Sequence, residues 1–168
     1  GARDVSGYPP SPTGALPTEC TGVSAHTDFE LFSILHQDGA GLELMHRTTG
    51  KWQLLAHDPK VVVILAGDML ERLSGGYFVA TPHRVRATAA TSSAPRRSVV
   101  FFQGLDEDEQ VHLLPASASS RREISEHMSS LPTAERQRYA EPLTQREWTE
   151  RREGEARERL ELTKQGAE

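Results

Sequence analysis

Two histidines and one aspartate are the residues of this chain whose types and spacing are best suited to bind a metal ion. His26 and Asp28 stand two positions apart, and His83 follows 55 positions after Asp28 (83 − 28). Two imidazoles and one carboxylate are the facial ligand set that holds Fe(II) and leaves the opposite coordination positions open. Because residues i and i+2 of an extended chain point to the same side, His26 and Asp28 can reach one metal together. His83 must then come from another strand, which a barrel that closes on itself would provide.

The other histidines are expected to be surface or hydrogen-bonded residues, because no matching motif surrounds them. The chain contains seven histidines among 168 residues, so a histidine close to an acid is weak evidence by itself. The histidines without a motif are His36, His46, His57, His112 and His127.

The elements that must position the three candidate ligands are short strands. Segments rich in β-branched and aromatic residues alternate with glycine and proline, which is typical of a sandwich or a barrel. We predict a mainly β fold, a double-stranded β-helix (jelly roll) with C-terminal helices. The predicted strands are 4–8, 30–37, 42–46, 51–56, 61–66, 77–80, 83–88 and 98–103, and a short helical segment is expected at 69–73.

Some of these segments allow more specific predictions. The run 61–66 is continuously apolar, which favours a strand that is buried on both faces. The segments 42–46 and 51–56 flank the turn residues 48–50 and predict a β-hairpin. Large apolar residues near the candidate site are expected to fill the core or to line the pocket, namely Phe29, Leu31, Phe78, Phe101 and Phe102.

After Leu105 the sequence becomes more polar, and helical patterns replace the strands. Helical turns are expected at 123–128 and 134–138. Thr144 and Glu147 have the spacing of a capping box, which predicts a helix from there to about Thr163. Charge on nearly all sides of this helix favours a solvated surface helix, and packing on the barrel or over the pocket mouth is the alternative. We therefore divide the chain into a jelly-roll core at 1–104 and a charged helical extension at 105–168.

Three blocks between Tyr8 and Phe102 carry a family resemblance. They are 26–38 (HTDFELFSILHQD), 41–44 with 50–52 (GLEL and GKW), and 67–72 with 80–85 (GDMLER and ATPHRV). In order and spacing they resemble the isopenicillin-N-synthase-like branch of the 2-oxoglutarate and Fe(II)-dependent dioxygenases. The resemblance implies that His26, Asp28 and His83 bind Fe(II) and form the catalytic centre, with 2-oxoglutarate as cosubstrate.

The same resemblance assigns residues to the cosubstrate. Arg96 and Ser98 match the family's RxS motif, which binds the far carboxylate of 2-oxoglutarate. A guanidinium forms charge-assisted hydrogen bonds with a carboxylate, and a hydroxyl adds one donor. Arg97 would point to the other face of that strand. Residues 6–10 resemble the family's NxYPP segment, which assigns Tyr8 to the near end of 2-oxoglutarate, although Ser6 stands where the family has Asn and the chain contains no Asn.

The resemblance implies an enzyme that oxidises a C–H bond of a small organic molecule, with hydroxylation as the default outcome and succinate and CO2 as co-products. Two other functions stay open: an Fe(II) oxygenase of the same fold that does not use 2-oxoglutarate, and a non-catalytic barrel that binds a metal or a ligand. The substrate cannot be predicted, because one fold serves many chemistries.

The net charge and the cysteine content restrict the expected binding partners and cellular location of the protein. The net charge of −5 argues against nucleic acid and acidic membranes as partners, and the run 61–66 is too short to span a bilayer. Cys20 is the only cysteine, so we expect no intrachain disulfide and a reducing, cytoplasmic location. The expected partners are a small-molecule substrate and dioxygen, and the oligomeric state cannot be predicted. Because family members usually carry a helical region before the barrel and this chain begins at Gly1, we expect it to be the core of a longer protein.

Overall fold

Short antiparallel strands form the body of the molecule, and helices follow them. The computed structural model describes residues 3–8, 20–87, 96–112 and 120–165. Its strands are β1 (Arg3–Tyr8), β2 (Cys20–His26), β3 (Phe32–Gln37), β4 (Leu42–Met45), β5 (Trp52–Leu54), β6 (Val63–Ala66), β7 (His83–Ala87), β8 (Arg96–Gln103), β9 (Gln110–Val111) and β10 (Leu143–Thr144). Its helices are α1 (Asp68–Leu73), α2 (Ser120–Ser130), α3 (Thr133–Ala140) and α4 (Gln145–Gln165).

Two four-stranded sheets carry most of these strands. One has the order β1-β8-β3-β6 and the other has the order β2-β7-β4-β5. All of their strand pairs are antiparallel. Along β8 buried and exposed residues alternate from Arg96 onward, as expected of a strand with one inward face. Leu35 of the first sheet and Leu42 of the second are both buried and line one cavity between the sheets. The predicted mainly β architecture is therefore confirmed.

The predicted hairpin joins β4 to β5. Met45 pairs with Trp52, and the turn between them closes where Gly50 N donates to His46 O at 2.8 Å. Gly50 has a φ of 63°, a conformation that glycine adopts without a steric penalty.

The prediction that 61–66 is buried on both faces was wrong. The strand itself begins at Val63 and lies at the edge of its sheet. Leu65 points inward and is 5 % exposed, whereas Ile64 on the opposite face is 66 % exposed. A continuous apolar run does not reveal which of its faces another layer covers, and among the described residues it is the inner face, with Leu65, that is covered.

The prediction of a strand at 77–80 was also wrong. Gly75 and Gly76 both have positive φ and turn the chain sharply after α1. Phe78 N then donates to Ser74 Oγ at 3.0 Å, which ties the segment to the turn instead of to a neighbouring strand. Phe78 is left exposed, and so is Phe101 on the outward face of β8, so neither is a core residue and neither lines the cavity between the two sheets.

Helix α4 begins with the predicted capping box. Thr144 N donates to Glu147 Oε2 at 2.8 Å, and Glu147 N donates to Thr144 Oγ1 at 3.1 Å. The prediction of a solvated surface helix was wrong for its first turns, because Trp148 is buried against Met69 and Val111. This aromatic residue helps to anchor a helix whose composition is mostly polar.

The pairing of β10 with β9 brings the start of α4 to this cluster, since Leu143 lies opposite Val111. Phe29 and Leu31 pack against the same cluster from the segment that follows β2. The boundary between a core at 1–104 and an extension at 105–168 stays a prediction. No helix in the described part of the chain combines the length and the apolar character needed to cross a bilayer.

Candidate metal centre

The three predicted metal ligands meet at the ends of two paired strands. His26 is the last residue of β2, His83 is the first residue of β7, and the two lie directly opposite each other in the antiparallel register. Their ring centroids are 4.3 Å apart. Asp28 Oδ1 lies 3.6 Å from the Nε2 atom of each histidine. One ligand atom from each residue falls within 4.8 Å of the others, so one ion could contact all three.

Backbone carbonyls orient both imidazoles. His26 Nδ1 lies 2.8 Å from Ser24 O, and His83 Nδ1 lies 3.1 Å from Thr81 O. Because a carbonyl oxygen only accepts hydrogen bonds, each Nδ1 acts as the donor, and each Nε2 is the ring nitrogen that faces Asp28 and could bind a metal. Burial lowers the pKa of His83, against the opposing effect of the Asp28 charge, and so favours the neutral imidazole that binds metals.

The Asp28 carboxylate is buried and held from one side. Ser33 Oγ, on β3, donates to Asp28 Oδ2, which leaves Oδ1 toward the histidines. Ser33 is itself fully buried, so its hydroxyl serves this contact and not solvent. The role of Ser33 could not be predicted from the sequence, because its position on a strand with an apolar pattern gives no sign of the contact.

The start of α1 supports the main chain around Asp28. Asp68 N donates to Asp28 O at 2.8 Å, Met69 N donates to Glu30 O at 3.1 Å, and Gly67 N donates to Leu31 O at 3.0 Å. A Cβ on Gly67 would lie 2.1 Å from the carbonyl oxygen of Glu30, so only glycine fits there. The Gly67-Asp68 pair stands in a block that the sequence analysis recognised, but its contacts could not be foreseen.

Two acidic side chains beside this segment are affected by their burial. Burial raises the pKa of Asp68, while hydrogen bonds from Thr27 and Trp148 and the charge of Arg152 partly offset the rise. Burial also raises the pKa of Glu30.

Arg96 and Ser98 face the same cavity as the three ligands. Both are buried on β8, and Arg97 between them is exposed, as predicted. Arg96 Nη2 donates to Gln37 Oε1 at 2.6 Å, and Gln37 is 3 % exposed. Among the residues that the structure describes, no hydrogen-bond partner reaches the buried Ser98 Oγ. Gln37 was missed by the sequence analysis, since it supports Arg96 across 59 positions of sequence.

The cavity between the ligands and Arg96 has a volume of about 110 Å³. Its lining combines the polar residues of the cluster, Arg96 and Ser98 with apolar side chains, and Phe102 is one of these, as predicted. The apolar lining residues are Val23, Leu35, Leu42, Val85, Val100 and Phe102.

Tyr8 was predicted to bind the cosubstrate, and the structure describes only its backbone. In the register of β1 and β8, Tyr8 lies opposite Arg96 and Ser6 lies opposite Ser98. The side chains of Ser6 and Tyr8 lie outside the described part of the structure, so the role of Tyr8 stays a prediction.

The remaining histidines lie outside this cluster. His36 Nε2 lies 3.1 Å from Pro59 O, and His57 Nε2 lies 3.1 Å from Gln37 O. His46 and His112 are exposed, and His46 Nδ1 accepts a hydrogen bond from Thr49 N.

Fold and site together define a jelly-roll protein with a facial group of two histidines and one carboxylate. The family model described as the 2OG-Fe(II) oxygenase superfamily matches residues 3–104. The chain belongs to this superfamily.

Relatives agree with this assignment. A 2-oxoglutarate-dependent dioxygenase of Didymella fabae is 39 % identical over 97 residues, which are 56 % of this chain and 29 % of that protein. Gibberellin 3-beta-dioxygenase 1 of Arabidopsis thaliana is 32 % identical over 119 residues, which are 70 % of this chain and 31 % of that protein. The chain therefore spans less than a third of the length of these curated relatives.

Solved structures confirm the predicted double-stranded β-helix. A 2OG-Fe(II) oxygenase family protein from Caulobacter crescentus superposes with a TM-score of 0.69 at 28 % identity, covering 92 % of this chain and 45 % of that chain. A full-length Neurospora crassa protein, solved in complex with alpha-KG, gives a TM-score of 0.67 at 21 % identity and covers 89 % of this chain and 43 % of its own. At 21 % identity, the similarity to the Neurospora crassa protein is evidence for the fold alone.

Proposed function

We propose that this chain is the metal- and 2-oxoglutarate-binding core of a dioxygenase that oxidises a C–H bond of a small organic molecule, with hydroxylation as the default outcome. One observation carries the proposal. A single cavity joins the two-histidine, one-carboxylate cluster to a buried arginine and a buried serine.

The residues of the cluster suit Fe(II). Two imidazole nitrogens and one carboxylate oxygen are the donor set that iron oxygenases of this kind use, with open positions opposite. Carbonyl contacts at each Nδ1 direct both Nε2 atoms toward Asp28, and Ser33 fixes the other carboxylate oxygen. The ligand orientation is therefore set by the protein before an ion binds.

The far end of the cavity suits a carboxylate. Ser98 Oγ has no hydrogen-bond partner among the described side chains and backbone groups, a situation that costs about 1–3 kcal/mol in a buried hydroxyl, and a bound carboxylate oxygen would remove this cost. The Arg96 guanidinium supplies charge at the same end, and Gln37 holds it in place. The apolar side chains that line the cavity fit a short methylene chain.

The size of the cavity indicates that it holds the cosubstrate and not the substrate. Its volume of about 110 Å³ is below the roughly 300–1,000 Å³ of pockets for drug-sized ligands, so it favours a small dicarboxylate. The His26 side chain is 38 % exposed, whereas that of His83 is 7 % exposed. The substrate to be oxidised would therefore approach from the His26 side of the cluster.

When bound, Fe(II) and 2-oxoglutarate supply the oxidising chemistry with dioxygen, and the co-products are succinate and CO2. The residues of the chain hold the metal, orient the cosubstrate and keep water from the cavity. Leu35, Leu42 and Phe102 provide the water-excluding walls.

The test is an anaerobic titration with Fe(II) and then 2-oxoglutarate, followed by the visible charge-transfer absorption of the chelate. His83→Ala removes a ligand, and Arg96→Ala removes the carboxylate anchor. Arg97→Ala is the matched control, because it removes the exposed arginine next to Arg96 on the same strand. Exposed His36→Ala is the corresponding control for His83.

We expect an absorption band that saturates in the wild type and in both controls. His83→Ala should abolish the band. Arg96→Ala should raise the dissociation constant for 2-oxoglutarate, read from the same band, at least tenfold, as expected for loss of a charged hydrogen bond of about 1.5–3 kcal/mol. Metal binding without the band would point to an oxygenase that does not use 2-oxoglutarate. Absence of metal binding would refute the proposal and leave a non-catalytic barrel.

A further inference from the structure

We infer that Arg152 of α4 is a positioning residue for the metal centre, acting with Asp68 through Thr27. Thr27 stands between His26 and Asp28, so its conformation sets the distance and angle between two of the proposed ligands. The inference rests on the proposed metal-binding function. Arg152 lies outside residues 3–104, the segment that matches the family model.

The position of Thr27 explains why it needs support. Strand β2 ends at His26, and the next strand begins at Phe32. Thr27 and Asp28 therefore lie beyond the strand pairing that fixes His26 against His83. Outside a strand, the backbone angles of Thr27 depend on contacts made by its neighbours and by its own side chain.

Both hydrogen-bonding capacities of the Thr27 hydroxyl are used. Arg152 Nη2 donates to Thr27 Oγ1 at 3.1 Å, and the hydroxyl is in turn hydrogen-bonded to the Asp68 carboxylate. A threonine hydroxyl has one proton to donate and lone pairs to accept with, so it donates to the carboxylate while accepting from the guanidinium. The side chain is thereby held in one orientation.

Asp68 contacts the ligand segment twice. Its carboxylate contacts Thr27, and its backbone N–H donates to Asp28 O at 2.8 Å. Trp148 Nε1 donates to Asp68 Oδ2 at 3.1 Å, so α4 also fixes the carboxylate itself. The C-terminal helix thus reaches the metal centre by two routes, through Arg152 directly and through Asp68.

The Arg152 guanidinium is itself fixed. Its Nε lies 3.2 Å from Asp68 Oδ2, and its Nη1 donates to Glu155 Oε2 at 2.8 Å. The guanidinium also lies 5.3 Å from the centre of the Phe29 ring. Its side chain is 21 % exposed, whereas that of Arg157 on the same helix is 73 % exposed, so solvent screens the contacts of Arg152 less.

The test measures Co(II) affinity of the 168-residue chain from the visible absorption of the bound ion. Arg152→Met keeps the aliphatic stem and removes the guanidinium, and Thr27→Val removes the hydroxyl at nearly constant shape. We expect each to raise the Co(II) dissociation constant about tenfold or more, the effect typical of residues that orient metal ligands. The double variant should lose less affinity than the sum of the two single losses, because both substitutions break the Arg152–Thr27 contact.

Two controls separate positioning from general stability. Arg157→Met removes an exposed arginine of the same helix, whose Nη2 lies 3.5 Å from Glu153, and should leave Co(II) affinity unchanged. Thr144→Ala weakens the start of α4 without touching Thr27. Urea unfolding of each metal-free variant measures the loss of stability, and amide hydrogen exchange of residues 26–31 measures the order of the ligand segment.

Thr144→Ala serves as the comparison if it loses at least as much stability as Arg152→Met. The inference then holds if Arg152→Met weakens Co(II) binding more than Thr144→Ala does and also accelerates amide exchange at 26–31 more. It is overturned if Arg152→Met binds Co(II) as tightly as the wild type, or if Thr144→Ala weakens binding equally. If the wild type binds Co(II) no better than His83→Ala, the proposed function fails together with the inference.

Discussion

Replacing Gly67 by alanine should damage both the stability and the metal affinity of the chain. A Cβ at this position would lie 2.1 Å from Glu30 O, and ordinary contact begins at 3.4 Å, so the two segments must separate by about 1.3 Å (3.4 − 2.1). Three backbone hydrogen bonds join 67–69 to 28–31 at 2.8–3.1 Å, and this separation would break them. At about 0.5–1.5 kcal/mol each, the loss of three such bonds amounts to roughly 1.5–4.5 kcal/mol.

Urea denaturation of the metal-free chain, followed by circular dichroism, measures this loss. Gly154→Ala is the matched control, since Gly154 lies within α4 and a Cβ there would meet no atom within 4 Å beyond its own stretch of helix. Alanine there should stabilise the chain by about 0.5–1 kcal/mol through its helix propensity. A Co(II) titration should show weaker binding by Gly67→Ala alone. A Gly67→Ala chain whose stability lies within about 0.5 kcal/mol of the wild type would refute the reasoning, because ordinary surface substitutions have effects of that size.

Two further variants test the residues that the sequence analysis missed. Ser33→Ala removes the hydrogen-bond donor to Asp28 Oδ2 and should weaken Co(II) binding about tenfold or more. The control Ser129→Ala, on the exposed face of α2, should leave Co(II) affinity unchanged. Equal affinities of the two variants would show that Ser33 does not orient the carboxylate. Gln37→Met removes the hydrogen-bond acceptor of Arg96 at similar side-chain volume, and it should weaken 2-oxoglutarate binding severalfold without changing Co(II) affinity. The exposed Gln53→Met is the control. A change in Co(II) affinity instead would contradict this division of roles.

Local patterns were sufficient for much of the fold. The hairpin of β4 and β5, the short helix α1 and the capping box of α4 each depend on contacts between residues close in sequence, and all were predicted. Which face of a strand is buried was harder to predict from the sequence. Ile64 and Phe101 look like core residues in a strand pattern, but each is exposed on the outward face of its strand.

The ligand types at the candidate site could be read from the chain, because chemistry restricts which residues bind a metal or a carboxylate. His26, Asp28, His83, Arg96 and Ser98 were all proposed from motifs, and the structure gathers them around one cavity. The residues that orient them could not be read in this way. Ser33, Gln37 and Gly67 have ordinary identities, and each matters only because of the atom it meets.

Sequence alone therefore determined the chemical character of this protein: the donor atoms, the alternation of its strands and the family to which they belong. Tertiary structure decided how those donors are held. Arg152 meets Thr27 across 125 positions of sequence, and Trp148 meets Asp68 across 80. Contacts at such separations arise only when the sheets and helices have packed, since the local sequence around each partner contains no information about the other.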